Sequence, residues 1–129
     1  GNDVIRYTNF NDIYNEKKVY VAITMETLPV DVTAMTYFHI DVWVPSTSPN
    51  LANKFTVKLT DFGANGIYSG GDDVTGTYNS PAALPTNQWV GIEIPMTGFS
   101  GLTTKAHMAQ IILDNFPTDI YVDNVYFHK

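Results

Sequence analysis

The chain has 129 residues, the length of one domain with its own hydrophobic core. It contains no cysteine, which excludes a disulfide framework and thiol chemistry. Its 13 acidic and 7 basic residues give a net charge of −6, which argues against nucleic acid and anionic membranes as partners. No apolar run approaches the ~18 residues that a membrane-spanning helix needs. Because the sequence begins with Gly1, we expect a piece of a longer protein.

Short segments of alternating apolar and polar residues follow one another, separated by Gly, Pro, Asn and Asp. This period of two is typical of strands with one buried face. In chain order the predicted strands lie before residue 12 and at 18–26, 36–45, 54–60, 75–79, 89–95, 109–114 and 120–128. No segment has a sustained helical period. The pattern predicts an all-β fold, one antiparallel β-sandwich of jelly-roll type over residues 1–129.

The segment 36–45 divides most clearly into two faces. One is apolar and is predicted to enter the core; the other carries Tyr37, His39, Asp41 and Trp43. Sugars present apolar C–H faces and a rim of hydroxyls, so they suit flat rings beside polar groups. We expect Lys58 and Gln110 on neighbouring strands, and together these side chains predict a carbohydrate-binding face. The alternative is a surface ion pair of Asp41 with Lys58, with Trp43 closing the end of the sandwich.

The loop 61–73 is rich in glycine and in oxygen ligands. It contains Asp61, Asn65, Asp72 and Asp73, and Ca²⁺ favours such hard oxygen donors. The sequence therefore predicts a structural calcium site here, with Tyr68 as a further candidate for sugar contact. The alternative is a solvated hairpin tip, where turn geometry favours aspartate.

The remaining candidates give little sign of catalysis. Trp89 is interpreted as a packing residue because tryptophan is buried on average, and His107 and His128 receive no role. The sequence has neither a GxSxG elbow nor an HExxH motif. Asp41 and Asp114 could face one another as a glycosidase pair, but a sandwich of this size offers only a shallow face for that chemistry. We therefore predict that the chain is not an enzyme.

Four segments together resemble a β-sandwich module that is appended to secreted laminarinases and related polysaccharide-degrading enzymes of Bacteroidetes. They are DVTAMTYFHIDVW, FTVKLTDFGANGIYSGGDD, WVGIEIPMTGFSGLTTKAHMAQIIL and IYVDNVYFHK. The resemblance covers roughly residues 31–129. It implies a galactose-binding-like jelly roll and a secreted or cell-surface bacterial protein. In function it implies a non-catalytic carbohydrate-binding module that holds a polysaccharide, best represented by β-1,3-glucan (laminarin), near a tethered glycoside hydrolase.

The same resemblance implies that Asp123, in the VDN motif, is a structural calcium ligand. The alternative is an exposed edge position whose carboxylate accepts from a neighbouring backbone N–H. Modules of this type usually begin with one more strand and an aspartate-containing turn, which we expect to be absent or remodelled here. An uncovered edge would favour a second function, a structural or protein-interaction sandwich that pairs through strand addition.

Overall fold

The computed structural model describes residues 3–8, 11–12, 17–18, 20–25 and 27–129. Its strands are β1 (Ile5–Tyr7), β2 (Asn11–Asp12), β3 (Lys17–Lys18), β4 (Val21–Thr24), β5 (Tyr37–Trp43), β6 (Thr56–Asp61), β7 (Val74–Asn79), β8 (Trp89–Pro95), β9 (Met108–Asp114) and β10 (Ile120–His128). One 3₁₀ turn, Met96–Gly98, follows β8. Within this described part no helix is long and apolar enough to cross a membrane.

Two four-stranded sheets pack against each other. The front sheet has the order β1-β10-β5-β8, and the back sheet has the order β4-β9-β6-β7. Every paired strand is antiparallel, and β2 pairs with β3 in a separate two-stranded ladder. The predicted antiparallel β-sandwich is therefore confirmed. Of the predicted strand 18–26, β4 covers Val21–Thr24 and Lys18 belongs to β3, while residues 19 and 26 lie outside the described part.

The core lies between the sheets and follows from the alternation along each strand. In β5, Phe38, Ile40 and Val42 have no exposed surface, as predicted. Val57 and Leu59 of β6 meet them from the back sheet and are equally buried. Burial of this apolar surface is the main force that holds the two sheets together. Because alternate residues enter the core, the other half of each strand is turned outward.

A β-bulge interrupts the alternation in β10. Asp41 of β5 is paired with Asp123, and His39 is paired with Tyr126. Between these pairs β10 has two residues, Asn124 and Val125, where β5 has one, Ile40. At the bulge Asn124 has a φ of 48°, in the left-handed region that asparagine tolerates better than most residues. Because of this bulge, each later side chain of β10 lies on the face opposite to the one that unbroken alternation would give it.

The shift decides which aromatic residues of β10 reach the surface. After the bulge, Val125 and Phe127 pack against the core. Tyr126 and His128 point outward, and Tyr126 is 46% exposed. If the same residues continued in unbroken alternation, with no bulge, these two pairs would exchange places. The bulge therefore adds two rings to the outer surface of the front sheet.

Candidate functional site

The outward side of the front sheet, here called the front face, is organised in rows that cross its strands. Each outward residue of β5 has a partner on β8 and one on β10. The rows are Trp89–Trp43–Tyr121, Gly91–Asp41–Asp123, Glu93–His39–Tyr126 and Pro95–Tyr37–His128. All four predicted residues of β5 thus lie on one face, as the alternation indicated.

The first of these rows, here called the aromatic row, consists of Trp89, Trp43 and Tyr121. The rings of Trp43 and Tyr121 meet edge to face, with centroids 5.4 Å apart. On the far side of Tyr121, the guanidinium of Arg6 lies 5.6 Å from the ring centroid. The three aromatic residues line a shallow pocket, and Trp89 is 49% exposed. The prediction that Trp89 is a packing residue is therefore wrong.

The second row contains a pocket with carboxylate walls, here called the acidic pocket. It is lined by Val4, Asp41, Trp89, Asp123 and Asn124. The two oxygens of Asp41 have different partners. Oδ2 accepts a hydrogen bond of 2.7 Å from the Asn124 side-chain amide, and Oδ1 lies 3.0 Å from His39 Nε2. Asp123 accepts a 2.7 Å bond from the backbone N–H of Asn124. The carboxylate of Asp41 is thus held in one orientation at the pocket wall.

The third and fourth rows are joined by a charged network. His39 Nδ1 lies 2.5 Å from Glu93 Oε1, and His128 Nε2 lies 2.9 Å from Glu93 Oε2. The hydrogen bonds with His128 and then His39 hold the pKa of Glu93 below its ordinary value. The hydrogen bond to Glu93 in turn raises the pKa of His128. This network continues through His39 to Asp41, and so to the acidic pocket.

Two tyrosines stack on the imidazoles of this network. His39 lies against Tyr126 with centroids 4.6 Å apart and planes 19° apart. Tyr37 and His128 stack at 5.4 Å and 17°. Tyr37 is 40% exposed, so the fourth row of the front face also presents ring surface to solvent.

Lys58 and Gln110 lie on the opposite side of the molecule. They belong to β6 and β9 of the back sheet and point outward from it, on what is here called the back face. The prediction that they neighbour Asp41 is therefore wrong. Lys58 Nζ is 3.0 Å from Asp114, and Gln110 donates to Thr24 at 3.2 Å.

The same division between the sheets removes two alternatives raised by the sequence. Asp41 cannot form the proposed surface ion pair with Lys58, whose partner is Asp114. Asp41 and Asp114 cannot act as a glycosidase pair either, because they lie on opposite outer faces of the sandwich.

Asp61 of the candidate calcium loop is buried, and both of its oxygens are in use. Oδ1 accepts from the backbone N–H of Gly63 at 2.8 Å, and Oδ2 accepts from that of His107 at 2.9 Å. The side chain has no exposed surface. These bonds join the start of the loop to the segment before β9, so the observed role of Asp61 is to fix the backbone.

The other acidic side chains of the loop also bond within it. Asp72 accepts from the Asn65 side chain at 2.5 Å, and Asp73 accepts from the backbone N–H of Ser69 at 2.7 Å. Asp61 and Asp72 line one pocket beside His107, whereas Asp123, the separate calcium candidate, lies on the front sheet. No group of three or more His, Asp or Glu in the described ranges is placed to hold a metal ion. Tyr68 is 61% exposed beside Phe62, in the loop that follows β6 of the back sheet, and is not part of the aromatic row.

Besides Trp89, sequence reasoning missed Glu93, Tyr121, Tyr126 and His128 on the front face. One signal could have revealed the last two. The apolar residues of β10 occupy even positions up to Val122 and odd positions from Val125, and such a change of parity marks a bulge. Tyr121 and Glu93 have no comparable signal, since they stand out only once their strands are placed beside β5.

No family model and no curated protein matches the sequence. Among solved structures, a family 11 carbohydrate-binding module from Clostridium thermocellum, in complex with a β-1,3-1,4-mixed-linked tetrasaccharide, is similar. Its TM-score is 0.59 at 19% identity, covering 84% of this chain and 66% of that chain. The family 11 module of a cellulosomal cellulase from the same bacterium gives 0.58 at 18% identity, covering 84% and 65%.

At this level of identity the likeness shows a shared fold. The chain has the jelly-roll sandwich of these carbohydrate-binding modules, which confirms the fold that the sequence resemblance implied. The match spans slightly less than two thirds of either module. The Bacteroidetes laminarinase setting stays a prediction.

Proposed function

We propose that this domain is a non-catalytic carbohydrate-binding module that holds a β-glucan on its front face. The observation that carries the proposal is the aromatic row of Trp89, Trp43 and Tyr121 beside the carboxylates of the acidic pocket. A half-exposed tryptophan on an outer strand face leaves ring surface in water, and exposed rings beside fixed polar groups are typical of ligand-binding sites. A sugar ring stacked there would cover it, and its hydroxyls would reach Asp41 and Asp123.

The ligand we propose contains β-1,3 linkages, with laminarin as its best representative. Two lines of support converge on this class. The sequence resembles modules of laminarinases, and one solved structure of the same fold holds a β-1,3-1,4-mixed-linked tetrasaccharide. Both ligands are uncharged glucans, which agrees with a face that offers carboxylates and rings.

The biological role we propose is to keep a tethered glycoside hydrolase near its polysaccharide, in a secreted or cell-surface bacterial protein. Tethering raises the effective concentration of substrate without any chemistry by the module. The affinity of one such shallow site should be modest, on the order of 10–1000 μM, because an exposed sugar exchanges good water contacts for few new ones.

Affinity gel electrophoresis tests the proposal directly. The domain is run through gels that contain laminarin, a mixed-linkage β-glucan or no polysaccharide. We expect retardation by a glucan in the wild type and its loss in Trp89→Ala. The matched control is Tyr20→Ala, which removes an exposed ring that precedes β4 of the back sheet. Equal retardation of Trp89→Ala and wild type would refute the front face as the site. New reducing ends on incubation would refute the non-catalytic assignment.

Calcium in the loop 61–73 stays a prediction with its own measurement. If the loop holds Ca²⁺, the melting temperature should fall when EDTA is added and recover with excess calcium. An unchanged melting temperature would contradict the calcium site and leave the aspartates with the hydrogen bonds already described.

One observation favours the alternative of a protein-interaction sandwich. In the part of the chain that the structure describes, β8 is an edge strand of the front sheet, with unpaired backbone groups along one side. Strand addition there would produce dimers or complexes. Light scattering over a range of concentrations decides: a mass that doubles with concentration supports pairing, and a constant monomer mass counts against it.

A further inference from the structure

Gly91 occupies a position where a glycine needs an explanation. It lies in the middle of β8, where glycine weakens a strand because it is flexible and has no side chain to pack. Its backbone does not require glycine, because its φ is outside the left-handed region. Gly76 of β7, by contrast, has to be glycine for packing, because an added Cβ would collide with the side chain of Leu102.

No such crowding against the core exists at Gly91, which is exposed on the front face. An added Cβ would meet Asp41 Oδ1 at 3.2 Å and His39 Cε1 at 3.4 Å. It would therefore press on the carboxylate that lines the acidic pocket. A larger side chain would also occupy the outward position of β8 that follows Trp89 and is paired with Asp41, and in the wild type this position is bare. Asp41 and Trp89 both line the acidic pocket.

The acidic pocket has a definite chemical preference. Its charged members are the carboxylates of Asp41 and Asp123, and the Asn124 side-chain amide is already donating to Asp41. The walls therefore offer mainly hydrogen-bond acceptors, which need donors such as hydroxyl groups. A carboxylate or sulfate on the ligand would instead face two like charges at short range, which is unfavourable.

We propose that Gly91 is a specificity-determining residue of the front face. By leaving the acidic pocket open beside Trp89, it admits the hydroxyl rim of an uncharged sugar, and the two carboxylates reject a sugar that carries an anionic group there. The inference rests on the proposed carbohydrate binding and adds a selection rule to it. Among polysaccharides, it separates neutral glucans from polyuronates and sulfated galactans.

The first experiment varies the charge of the ligand at constant bulk. Dissociation constants are measured by isothermal titration at low salt for laminarin, carboxymethylated laminarin and hydroxyethylated laminarin of equal substitution. We expect the carboxymethylated polymer to bind at least roughly tenfold more weakly than the hydroxyethylated one. Added salt should narrow the gap, because ions screen repulsion at an exposed site. Equal affinity for the two derivatives would overturn the rejection of anions.

The second experiment fills the pocket. Gly91→Val should lower laminarin affinity at least roughly tenfold while the melting temperature stays equal or rises, since valine favours strands. The matched control is Ala22→Val, which enlarges an exposed position on β4, an edge strand of the back sheet. It should leave affinity unchanged.

The outcomes separate the two proposals. Wild-type affinity for laminarin in a folded Gly91→Val would overturn the role of Gly91, and carbohydrate binding would stand. Wild-type protein that binds neither laminarin nor any other glucan would overturn both. If Gly91→Val lost binding and also had a much lower melting temperature, the role of Gly91 would be tested with Gly91→Ala instead. That variant adds only the Cβ, and we expect it to fold and to bind more weakly than wild type.

Discussion

The front and back faces of the sandwich both carry polar side chains, and on the back face Thr56, Lys58 and Thr60 each pair with a side chain of a neighbouring strand. Thr56 donates to Asn79 at 2.9 Å, and the hydroxyls of Thr60 and Thr75 lie 3.0 Å apart. Lys58 has its partner in Asp114 on the adjacent strand. Each of these pairs joins neighbouring strands, so the polar groups of the back face serve the sheet itself.

The front face combines a polar network with rings that remain exposed. Asp41 is held by its two neighbours, yet Trp89 beside it is half exposed to water. Tyr37 and Tyr126 on the same face are also exposed, whereas the described strands of the back sheet carry no exposed ring. Two faces built by the same alternation therefore differ in the ring surface that they leave exposed. The difference suggests that a ligand is recognised where fixed polar groups meet uncovered rings, rather than wherever a strand face is polar.

The strongest test of this comparison strains the bulge that supplies part of the front face. Asn124→Val places a β-branched side chain at a left-handed φ of 48°, at a cost of about 1–2 kcal/mol, and loses the hydrogen bond to Asp41, at a cost of about 1 kcal/mol. The strand cannot avoid this cost by becoming regular, because the same residues in unbroken alternation would turn Tyr126 and His128 inward and expose Phe127. The total loss of stability should therefore be about 2–3 kcal/mol. Urea unfolding followed by fluorescence measures it.

A second variant at the same position provides the control. Asn124→Gly keeps the left-handed backbone and loses only the bond to Asp41, which should cost about 1 kcal/mol. If Asn124→Val lost no more stability than Asn124→Gly, the left-handed backbone at residue 124 would not be what maintains the bulge.

The back sheet should respond most strongly at Asp61, where a polar side chain is buried for structural reasons. Asp61→Ala leaves the backbone N–H groups of Gly63 and His107 without acceptors, at a cost of about 2–3 kcal/mol. Asp61→Asn keeps one oxygen and should cost less. Denaturation curves in the presence of EDTA provide the measurement, and a change near zero for the alanine variant would contradict the assigned role.

The charged network should make the front face the more pH-sensitive of the two. The pKa of His128 is raised above its ordinary value of 6.5 by Glu93, so its stabilisation is complete below that value and is lost as pH rises through the folded pKa. The pKa of Glu93 is lowered from 4.5 by His128 and His39, so its stabilisation is present above 4.5 and is lost as pH falls through the folded pKa. Stability from the network should therefore be greatest between these two ordinary values.

NMR titration of the histidine ring protons tests the coupling. In Glu93→Gln the pKa of His128 should fall toward 6.5, because the carboxylate that raises it is gone. An unchanged titration of His128 in that variant would show that the two residues are not coupled in solution.

The smallest effect is expected on the back face. Lys58→Met breaks a partly exposed ion pair with Asp114, and such pairs contribute less than about 1 kcal/mol. Retardation by laminarin should be the same as in wild type. Loss of binding in Lys58→Met would indicate that the glucan binds to the back face, and it would contradict the proposed site on the front face.

The sequence predicted which side of a strand is buried, but it did not predict which strands are neighbours. Alternation reports the two faces of a single strand, and on that basis the outward set of β5 was correct. Lys58 satisfied the same rule and was assigned to the wrong sheet, because a period of two carries no information on strand order. Trp89 was misjudged for a related reason. Average burial of tryptophan says nothing about a position paired with Trp43 on an outer face.

The direction of the aromatic row has a consequence for the length of the bound ligand. The row crosses the sheet from Trp89 on β8 through Trp43 on β5 to Tyr121 on β10, and Arg6 on β1 continues the same line. Neighbouring strands lie about 4.8 Å apart, so the row and Arg6 together extend over about 14 Å. The width of the sheet therefore limits the length of ligand that can be contacted. Affinity should increase as a glucan oligomer becomes longer across the row, and it should stop increasing once the oligomer extends beyond both edges of the sheet.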